Sequence, residues 1–548
     1  MQVAQKIKEA IAYALSSFAK EDIAPSEIRI EHPADLKNGD YSSSAPLYFA
    51  KKLGRPAPAL ADIIENTGPI EGVEKIEVAG PGFINFYLNS ATLAEAVEKA
   101  RSEDMWGSNA ALSGKKIMVE YTDPNPFKEF HIGHLMSNAI GESLSRLLQF
   151  SGAEVKRANY QGDIGPHVAK ALWGKMKHPE MTWGQAYAAG SAEYETNKDE
   201  IDSVNKKVYK KSDPEINALY DAGRTESLEH FEELYKILGT KFDHYFFESE
   251  TAGKGFEIVR AHPEVFEMSD GAVVYKGEKV GLHTRVFVTS KGLPTYETKE
   301  IGLAEMKAET WNFDESITVT AHEQADYFEV VIAAMKEVLP DVAKKLIHIS
   351  HGMMRLSTGK MSSRTGDVIT GESLLNDLIV EAKVRAAESR ADDKEKLAKG
   401  VAVAAIKYQI LKQASGKDIT FDRERALSLE GDSGPYLQYA HARARAVVEK
   451  ATEQNIMPRF DEQATISDLA RILHRFPEVV ARASGEREPH HVTTYLVEVA
   501  SLFNRWYAEE QILDGSPAQA HKIALTSAAS RTLKNGLWLL GIPAPQRM

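Results

Sequence analysis

The sequence predicts a multidomain α/β protein, in which an N-terminal α+β domain precedes a parallel-sheet domain and a C-terminal all-α helical bundle. Three observations lead to this fold class. The chain has 548 residues, more than one hydrophobic core organises, which indicates three or more domains. A strand, a helix and a second strand follow one another between residues 115 and 165. Helical periodicity then continues from about residue 371 to the end.

The first 110 residues form the predicted α+β domain. Apolar side chains recur at helical spacing in residues 1–20, and EIRIEHP at 27–33 alternates as a strand does. Helical patterns follow in APLYFAKKLG and ALADIIENT, and KIEVAGPGFINFYL at 75–88 is typical of strands broken by Gly-Pro-Gly. A further helix at 91–103 leads into the next domain.

Residues 111–370 are predicted to form a Rossmann-like domain. IMVEY, within 115–127, is a short apolar run typical of a buried parallel strand, and a loop rich in Asp, Pro and Asn follows it. A helix continues through Gly152, and EVKRANYQGDIG at 154–165 has the pattern of the next strand and its exit loop. Such a unit predicts a right-handed crossover. The polar helical stretch at about 167–265 is expected to be an insertion, after which strand patterns resume.

The C-terminal part is predicted to be helical throughout. Residues 371–426 form the expected connecting helical region, and residues 427–548 form the expected bundle. Segments such as VAVAAIKYQILK, GPYLQYAHARARAVVEKA and QAHKIALTSAASRTLKNGLWLLG each show the periodicity of a helix that packs on one side.

Composition excludes several classes of function. The chain contains no cysteine, so disulfides, thiolate zinc sites and cysteine nucleophiles are excluded, and the cytoplasm is the expected location. No signal-peptide pattern and no long apolar run are present, so no membrane association is expected. A net charge of −13 argues against a protein that coats nucleic acid through bulk attraction.

The segment FKEFHIGHLMSNAIG at 127–141 places His131 and His134 three residues apart at the start of a helix. A zinc site needs three or four ligands, and paired zinc histidines on a helix are four apart, so no metal site is predicted. One histidine here would more often be a cap or a half-buried side chain. A helix that begins directly after a strand binds phosphate well, and Gly133 leaves its backbone open, which favours phosphate handling. Neutral imidazoles there would donate to charge that develops in a transition state.

A second cluster lies in LSTGKMSSRTGDVIT at 356–370. Between two glycines it contains two cations and three hydroxyls: Lys360, Ser362, Ser363, Arg364 and Thr365. Most loops of this composition are simply exposed. The alternative is a loop that closes over a triphosphate and neutralises the departing pyrophosphate.

Together the two clusters resemble the signatures of class I aminoacyl-tRNA synthetases. HIGH at 131–134 matches the HIGH signature without a mismatch, and KMSSR at 360–364 resembles the KMSKS loop that follows it in that class. Ser363 replaces the second lysine of that loop and Arg364 replaces its last serine, which displaces the positive charge by one position.

Within this class the chain resembles the arginyl-tRNA synthetase family over nearly its whole length. NGDYSSSAPLYFAKKLG and VAGPGFINFYL are similar to that family's N-terminal domain, which would contact the tRNA elbow. DPNPFKEFHIGHLMSNAIGESLSRLLQFSGAEVKRANYQGDIG is similar to its first catalytic half. SGPYLQYAHARARAV, FNRWYAEEQIL and RTLKNGLWLLGIPAPQRM are similar to its helical anticodon-binding domain and C-terminus.

The resemblance implies which residues bind arginine. The expected set is Asn125, Glu154, Asn159, Tyr296, Glu300 and Gln324. Glu154 and Asn159 are five apart, as are the family's guanidinium-binding acid and its α-amino-binding asparagine. Tyr296 and Glu300 match its Tyr-x-x-x-Asp pair, with an acid one methylene longer. Carboxylates suit a guanidinium because it is a planar fork of donors.

The resemblance also implies an ATP site and a tRNA site. The expected catalytic residues are Lys128, His131, Gly133, His134 and Lys360. The expected ATP-binding residues are His131, His134, His322, Gly352, Met353, Met354, Lys360, Ser362, Ser363 and Arg364. The expected tRNA-binding residues are Tyr436, Tyr439, Arg443, Arg445 and Trp506.

The implied activity is that of an arginine–tRNA ligase. ATP, bound with Mg²⁺ and without zinc, would activate L-arginine to arginyl-adenylate, which then reacts with the 3′ end of tRNA(Arg). Activation would require bound tRNA, and the enzyme is expected to be a monomer. Three alternatives stay open: a class I synthetase of another specificity, a tRNA-binding protein with an inactive site, and a nucleotidyltransferase. The acids around the predicted pocket disfavour another specificity, and the intact HIGH motif disfavours an inactive site. The length of the chain disfavours a nucleotidyltransferase.

Overall fold

The N-terminal domain packs a small antiparallel sheet against helices. The computed structural model describes residues 2–357 and 370–548. The elements of this domain are α1 (Gln2–Ala19), β1 (Tyr41–Ser43), α2 (Ala45–Leu53), α3 (Ala57–Glu65), β2 (Val73–Ala79) and β3 (Phe83–Leu88). The strand order is β1-β3-β2, and Ile7, Ile11 and Leu15 of α1 are fully buried in its core. EIRIEHP was expected to be a strand, but it contributes only one bridge, from Glu31 to Ser42.

Helix α4 (Ser90–Ser102) leads into the parallel sheet. The first unit of that sheet is β4 (Lys116–Glu120), α5 (Ile132–Phe150) and β5 (Glu154–Gln161). The helix lies very close to β4: a Cβ on Gly141 would be 2.2 Å from Cγ of Tyr121. Only glycine permits this approach, which sets the depth at which α5 and its HIGH segment sit over the sheet.

Four helices separate the two halves of the sheet. They are α6 (Pro166–Lys177), α7 (Trp183–Ala192), α8 (Lys198–Lys210) and α9 (Pro214–Leu238). The predicted insertion of about 167–265 is therefore too long. Its last part forms β6 (His244–Phe247), the edge strand of the parallel sheet, and α10 (Glu248–Ala261). A four-residue edge strand within a helical stretch is too short for periodicity to reveal.

The second half completes the sheet. Three short strands, β7 (Glu267–Ser269), β8 (Ala272–Tyr275) and β9 (Arg285–Val288), form a separate antiparallel sheet. The chain continues through α11 (Tyr296–Thr310), β10 (Glu315–Ala321), α12 (Ala325–Val338), α13 (Pro340–Ala343), β11 (Leu346–His351) and β12 (Met354–Leu356). The parallel strand order is β11-β10-β4-β5-β6. The reversal of direction in this order lies at β4, where a doubly wound sheet binds ligands.

The rest of the chain is almost entirely helical. Its elements are α14 (Gly371–Ala386), α15 (Lys394–Leu411), β13 (Ile419–Phe421), α16 (Arg423–Ala426), α17 (Gly434–Glu453), α18 (Asp468–His474), α19 (Phe476–Glu486), α20 (His490–Glu509) and α21 (Gln519–Leu539). Strand β13 pairs in parallel with β12 and so joins the connecting region to the sheet domain. The predicted fold class, with an N-terminal α+β unit, a parallel sheet and a helical bundle, is confirmed.

The helical bundle contacts both other domains through buried polar groups. Ser143 of α5 donates a hydrogen bond to the carbonyl oxygen of Leu539 at 2.8 Å. At the N-terminal domain, Arg471 pairs with the buried Asp40 at 2.7 Å, and Tyr41 donates to Glu478 at 2.6 Å. Such buried pairs fix orientation, because leaving one charge without its partner costs about 3–5 kcal/mol. Among the residues described, no helix is long and apolar enough to cross a membrane.

Candidate active site

The HIGH segment forms the N-terminus of α5 at the carboxyl end of β4. His131 is the N-cap residue, and its backbone N–H donates to Nδ1 of His134 at 3.1 Å. The two imidazole rings stack with their centroids 3.5 Å apart. Because Nδ1 of His134 accepts a hydrogen bond, the proton of the neutral ring must be on Nε2. His134 therefore presents a hydrogen-bond donor at the end of the helix.

Both histidines are held neutral. The surrounding protein and the nearby Lys128 lower the pKa of His131 to about 4. Burial lowers the pKa of His134 well below its usual range, and His131 and Lys128 add to this effect. A Cβ on Gly133 would be 3.1 Å from Nδ1 of His131, so a side chain there would disturb the stacked rings. The motif is thus a pair of uncharged donors at the positive end of a helix, which suits phosphate oxygens.

The loop between β4 and α5 has a strained backbone. Thr122, Asp123 and Phe127 have φ values of +79°, +45° and +68°, a region that side chains other than glycine rarely adopt. Tertiary bonds hold the loop in place: Asp123 accepts from the N–H of Tyr160 at 2.7 Å, and Asn125 accepts from that of Gly162 at 3.1 Å. Strain of this kind collects at functional sites, where the surrounding structure fixes it.

Carboxylates converge beside this loop and form what we call the acidic wall. Its members are Glu120, Asp123, Glu248, Glu297 and Glu300. Glu120 is 2% exposed and pairs with Nζ of the buried Lys307 at 2.6 Å. Glu248 pairs in the same way with Lys299 at 2.6 Å. Arg285, which also lines the cavity, lies 3.7 Å from Glu297. Five acids thus face three cations, and this excess of acidic groups favours a bound cation.

The pKa of Glu300 shows this excess of negative charge. Burial, followed by the charge of Glu120, raises it to about 8. Burial and Glu120 also raise the pKa of Asp123 well above its usual range. A cation placed among these groups would reverse both effects, because the nearby positive charge favours the ionised acids.

The HIGH helix, the strained loop and the acidic wall enclose one cavity of about 640 Å³. Seven predicted residues line it: Asn125, His131, Gly133, His134, Tyr296, Glu300 and Gln324. They come from the β4–α5 connection, from the first turn of α5, from α11 and from the short helical turn after β10. Residues far apart in the sequence thus meet at the carboxyl edge of the parallel sheet.

Two predicted arginine-binding residues lie elsewhere, and these assignments are corrected. Glu154 is the exposed first residue of β5, paired with Lys116 at the opposite end of the sheet. At the usual rise, roughly 20 Å of strand separates it from Tyr160, which lines the cavity. Asn159 is fully buried under the loop, where its amide donates to the carbonyl of Tyr121 at 3.0 Å.

Glu120, and not Glu154, is the acid that the structure brings to the cavity. Glu120 and Asn125 are also five residues apart, and both line the cavity. The five-residue spacing from Glu120 to Asn125 is visible in the sequence. However, Glu120 lies inside the apolar run IMVEY, which is typical of a core strand rather than of a binding site. The sequence also missed Tyr327, whose buried hydroxyl has no hydrogen-bond partner among the described residues and faces the cavity.

The predicted nucleotide-binding residues are only partly brought together. His322 is exposed in the short turn that carries Gln324. Gly352, Met353 and Met354 lie outside the cavity lining, and Met354 is buried in the core, although the adjacent His351 does line the cavity. Lys128 lies 4.8 Å above the ring of Tyr187. Lys360, Ser362, Ser363 and Arg364 lie outside the described residues.

The predicted tRNA-binding residues divide between two sides of α17. On one side, Arg443 donates to Tyr439 at 3.1 Å and to Asn504 of α20 at 2.7 Å. Trp506, also on α20, is half-buried, as is Tyr436 near the start of α17. Arg445 points to the other side, towards α21, and pairs with Glu449 at 3.3 Å.

Comparison with protein families matches the chain in three parts. Residues 5–88 match the arginyl tRNA synthetase N terminal domain, residues 96–423 match the class I (R) tRNA synthetase catalytic domain, and residues 437–548 match the DALR anticodon binding domain. These spans agree with the three structural parts described above.

Individual proteins give the same result. The arginine–tRNA ligase of Clostridium perfringens is 31% identical over 572 aligned residues, which cover 100% of this chain and 99% of that protein. The Streptococcus mutans protein of the same name is 32% identical, with 95% of each chain covered. The arginyl-tRNA synthetase structure from Thermus thermophilus superposes with a TM-score of 0.81 at 28% identity, and 99% of each chain is covered.

Proposed function

This chain belongs to the arginyl-tRNA synthetase family of class I aminoacyl-tRNA synthetases, and we propose that its cavity joins L-arginine to tRNA(Arg) at the expense of ATP. The observation that carries the proposal is the acidic wall directly beside the HIGH helix. One side of the cavity suits a guanidinium, and the other suits a triphosphate. No other amino acid side chain combines a fixed positive charge with a planar fork of donors.

The acidic wall would hold the arginine side chain. Glu120 and Glu300 offer carboxylate oxygens, and Tyr296, Tyr327 and Gln324 offer further polar groups around them. Asn125, at the end of the strained loop, would bind the α-amino group. While the cavity is empty, Lys307 pairs with Glu120 and Lys299 pairs with Glu248, so these carboxylates are held in fixed positions for a guanidinium.

The HIGH helix would hold the ATP phosphates. The arginine carboxylate attacks the α-phosphorus, the bond to the bridging oxygen of pyrophosphate breaks, and arginyl-adenylate forms. His134 and His131 donate to the phosphoryl oxygens as negative charge grows on them. Lys128 and Lys360 would supply the fixed cations. Mg²⁺ is proposed to arrive on the ATP phosphates; within residues 2–357 and 370–548, no group of three or more His, Cys, Asp or Glu side chains is arranged so that it could hold a metal ion.

In the second step, the 2′-hydroxyl of the tRNA 3′-terminal ribose attacks the acyl carbon of the adenylate and releases AMP. Tyr439, Arg443 and Trp506 would contact the anticodon region, since aromatic rings beside an arginine suit unpaired bases. The proposed enzyme is a monomer and acts in the cytoplasm. The lack of cysteine agrees with that reducing compartment.

Pyrophosphate exchange with ATP tests the proposal directly. The purified protein is assayed with each of the twenty amino acids, with and without tRNA. Exchange with arginine alone, and only when tRNA is present, is the expected result. Exchange with another amino acid would keep the reaction and overturn the assignment of the acidic wall. No exchange in any mixture would favour a tRNA-binding protein without catalysis.

Arginine affinity should increase with pH up to about 8. Glu300 has a pKa near 8 in the empty cavity, so at lower pH it is mostly protonated and must lose its proton when the guanidinium binds. The guanidinium itself stays charged throughout this range. Because one proton must leave on binding, the KM for arginine should rise up to about tenfold for each pH unit below 8.

The KM for arginine, measured from pH 6.5 to 8.5, checks this expectation. In Glu300→Gln the same profile should be flat, because the side chain that loses the proton is gone. A Glu300→Gln profile as steep as that of the unchanged protein would assign the proton to Asp123 instead, since its pKa is raised by the same causes.

A further inference from the structure

A second polar cavity lies between α17 and α21, away from the active site. It has a volume of about 200 Å³, and seven polar side chains dominate its lining: His441, Arg445, Ser527, Ser530, Arg531, Lys534 and Gln546. No carboxylate lines this cavity among the described residues. Three cations and two hydroxyls on one concave surface form a set of donors without an acceptor of matching charge.

The cations belong to this cavity and not to the tRNA-contacting side of α17. Arg445 is two residues from Arg443, which turns it to the opposite side of the helix, towards α21. There it joins Arg531 and Lys534, which are three residues apart on α21 and share one side of that helix. The two helices thus bring three cations to one place from separate segments.

The charges in the cavity are incompletely neutralised. Arg445 pairs with Glu449 at 3.3 Å, and Arg531 pairs with Asp104, whose side chain is 86% exposed. Lys534 makes no ion pair within the described part of the chain. Burial, with smaller contributions from Lys534 and Arg445, lowers the pKa of His441 to about 4, which agrees with a positive potential inside the cavity.

Asp104 would compete with an external anion for Arg531. It lies in the connection between α4 and β4, and its carboxylate reaches Arg531 from the rim of the cavity. The amide of Asn535 holds the backbone oxygen of Asp104 at 3.0 Å, so the connection stays in place whether or not its carboxylate binds Arg531. An exposed ion pair is worth only about 0–1 kcal/mol, so an anion with more oxygens can displace it.

We propose that this cavity is a phosphate-binding site, in which Lys534, Arg531 and Arg445 bind a phosphate group with help from the hydroxyls of Ser527 and Ser530. Arginine forks and serine hydroxyls match the several oxygens of a phosphate. The phosphate has two possible sources, a phosphodiester of the RNA backbone or a free phosphate. The RNA source rests on the proposed function, whereas the free-phosphate source does not.

Two substitutions with opposite expected effects test the proposal in the full-length protein. Lys534→Ala removes the unpaired cation and should weaken binding of inorganic phosphate about tenfold. Asp104→Ala removes the internal competitor and should strengthen it about threefold. Lys336→Ala, on an exposed part of α12, makes the same charge change as Lys534→Ala outside the cavity and should have no effect. Isothermal titration calorimetry with inorganic phosphate measures all three against the unchanged protein.

The same variants then separate the two sources. If the phosphate belongs to RNA, Lys534→Ala raises the KM for tRNA and reduces the slope of log affinity against log salt by about one, while kcat and the KM for arginine stay unchanged. If the phosphate is free, phosphate binding changes and tRNA kinetics do not.

One result would overturn the site. Phosphate binding and tRNA kinetics that are both the same in Lys534→Ala, Asp104→Ala and the unchanged protein would show that the cavity binds no phosphate. Failure of the proposed function would give a different result. In that case the unchanged protein would attach no arginine to tRNA, but it would still bind inorganic phosphate in the titration. A merely structural role would not shift affinity in opposite directions for the two substitutions.

Discussion

Replacing His134 with alanine should lower kcat for arginine activation roughly 100- to 1,000-fold, with little change in the KM for ATP. The reason lies in the tautomer that the structure fixes. Nδ1 of His134 accepts the N–H of His131 at 3.1 Å, so Nε2 carries the proton that the proposed mechanism donates to the phosphates. Removing one donor aimed at developing charge typically costs about 10²–10³ in rate.

The charge state of His134 explains why kcat and not KM should change. Burial and the neighbours His131 and Lys128 hold its pKa well below its usual range, so the ring adds no fixed charge to the ground state. The hydrogen bond from a neutral donor strengthens most when negative charge grows on the phosphoryl oxygens, which happens as the transition state forms. Steady-state exchange kinetics at saturating tRNA measure both constants.

Two further variants serve as a rescue and as a control for the His134→Ala prediction. His134→Gln retains an N–H donor near the position of Nε2 and should recover part of the lost rate. His262→Ala, at the end of α10 and paired with Glu264 at 2.9 Å, removes a histidine outside the cavity and should leave exchange unchanged. A mutant that loses ATP affinity but keeps kcat would contradict the transition-state role and assign His134 to ground-state binding.

The sequence predicts the HIGH half of the site well, because the residue patterns that indicate it are close together in the chain. The strand, the loop and the helix around HIGH lie within 40 consecutive residues, and each has its own pattern of apolar and turn residues. The close approach of Gly141 to Tyr121 is not visible in such a pattern. It depends on two residues that meet only when α5 folds back onto β4.

The arginine half is harder to predict because burial of an acid depends on distant partners. Glu120 is tolerated inside a core strand only since Lys307, on α11, reaches it at 2.6 Å. The sequence IMVEY gives no indication of Lys307, so Glu120 has the pattern of an isolated acid in an apolar strand. Glu154 lies in an equally convincing local context, and a spacing of five residues fits both acids. Spacing alone therefore could not decide between them, whereas the direction of the strands does.

Glu120 and Glu154 make a matched pair of variants that separates these two assignments. Glu120→Gln should raise the KM for arginine about 100-fold, and Glu154→Gln should leave it unchanged. Both changes keep the size of the side chain and remove one negative charge. The expected loss corresponds to about 3 kcal/mol, in the range for removing one partner of a buried charge pair. The KM for ATP should stay the same in both variants, because the HIGH helix is untouched.

The partner of Glu120 requires one more variant, since Glu120→Gln leaves Lys307 buried without its counter-charge. Such a charge costs about 3–5 kcal/mol and could lower stability as well as affinity. Glu120→Gln combined with Lys307→Gln removes both charges and should restore the thermal midpoint, while the KM for arginine stays high. If the double variant regains arginine affinity, Glu120 acts through folding and not on the substrate. If Glu154→Gln raises the KM instead, the guanidinium lies outside the cavity that the acidic wall defines.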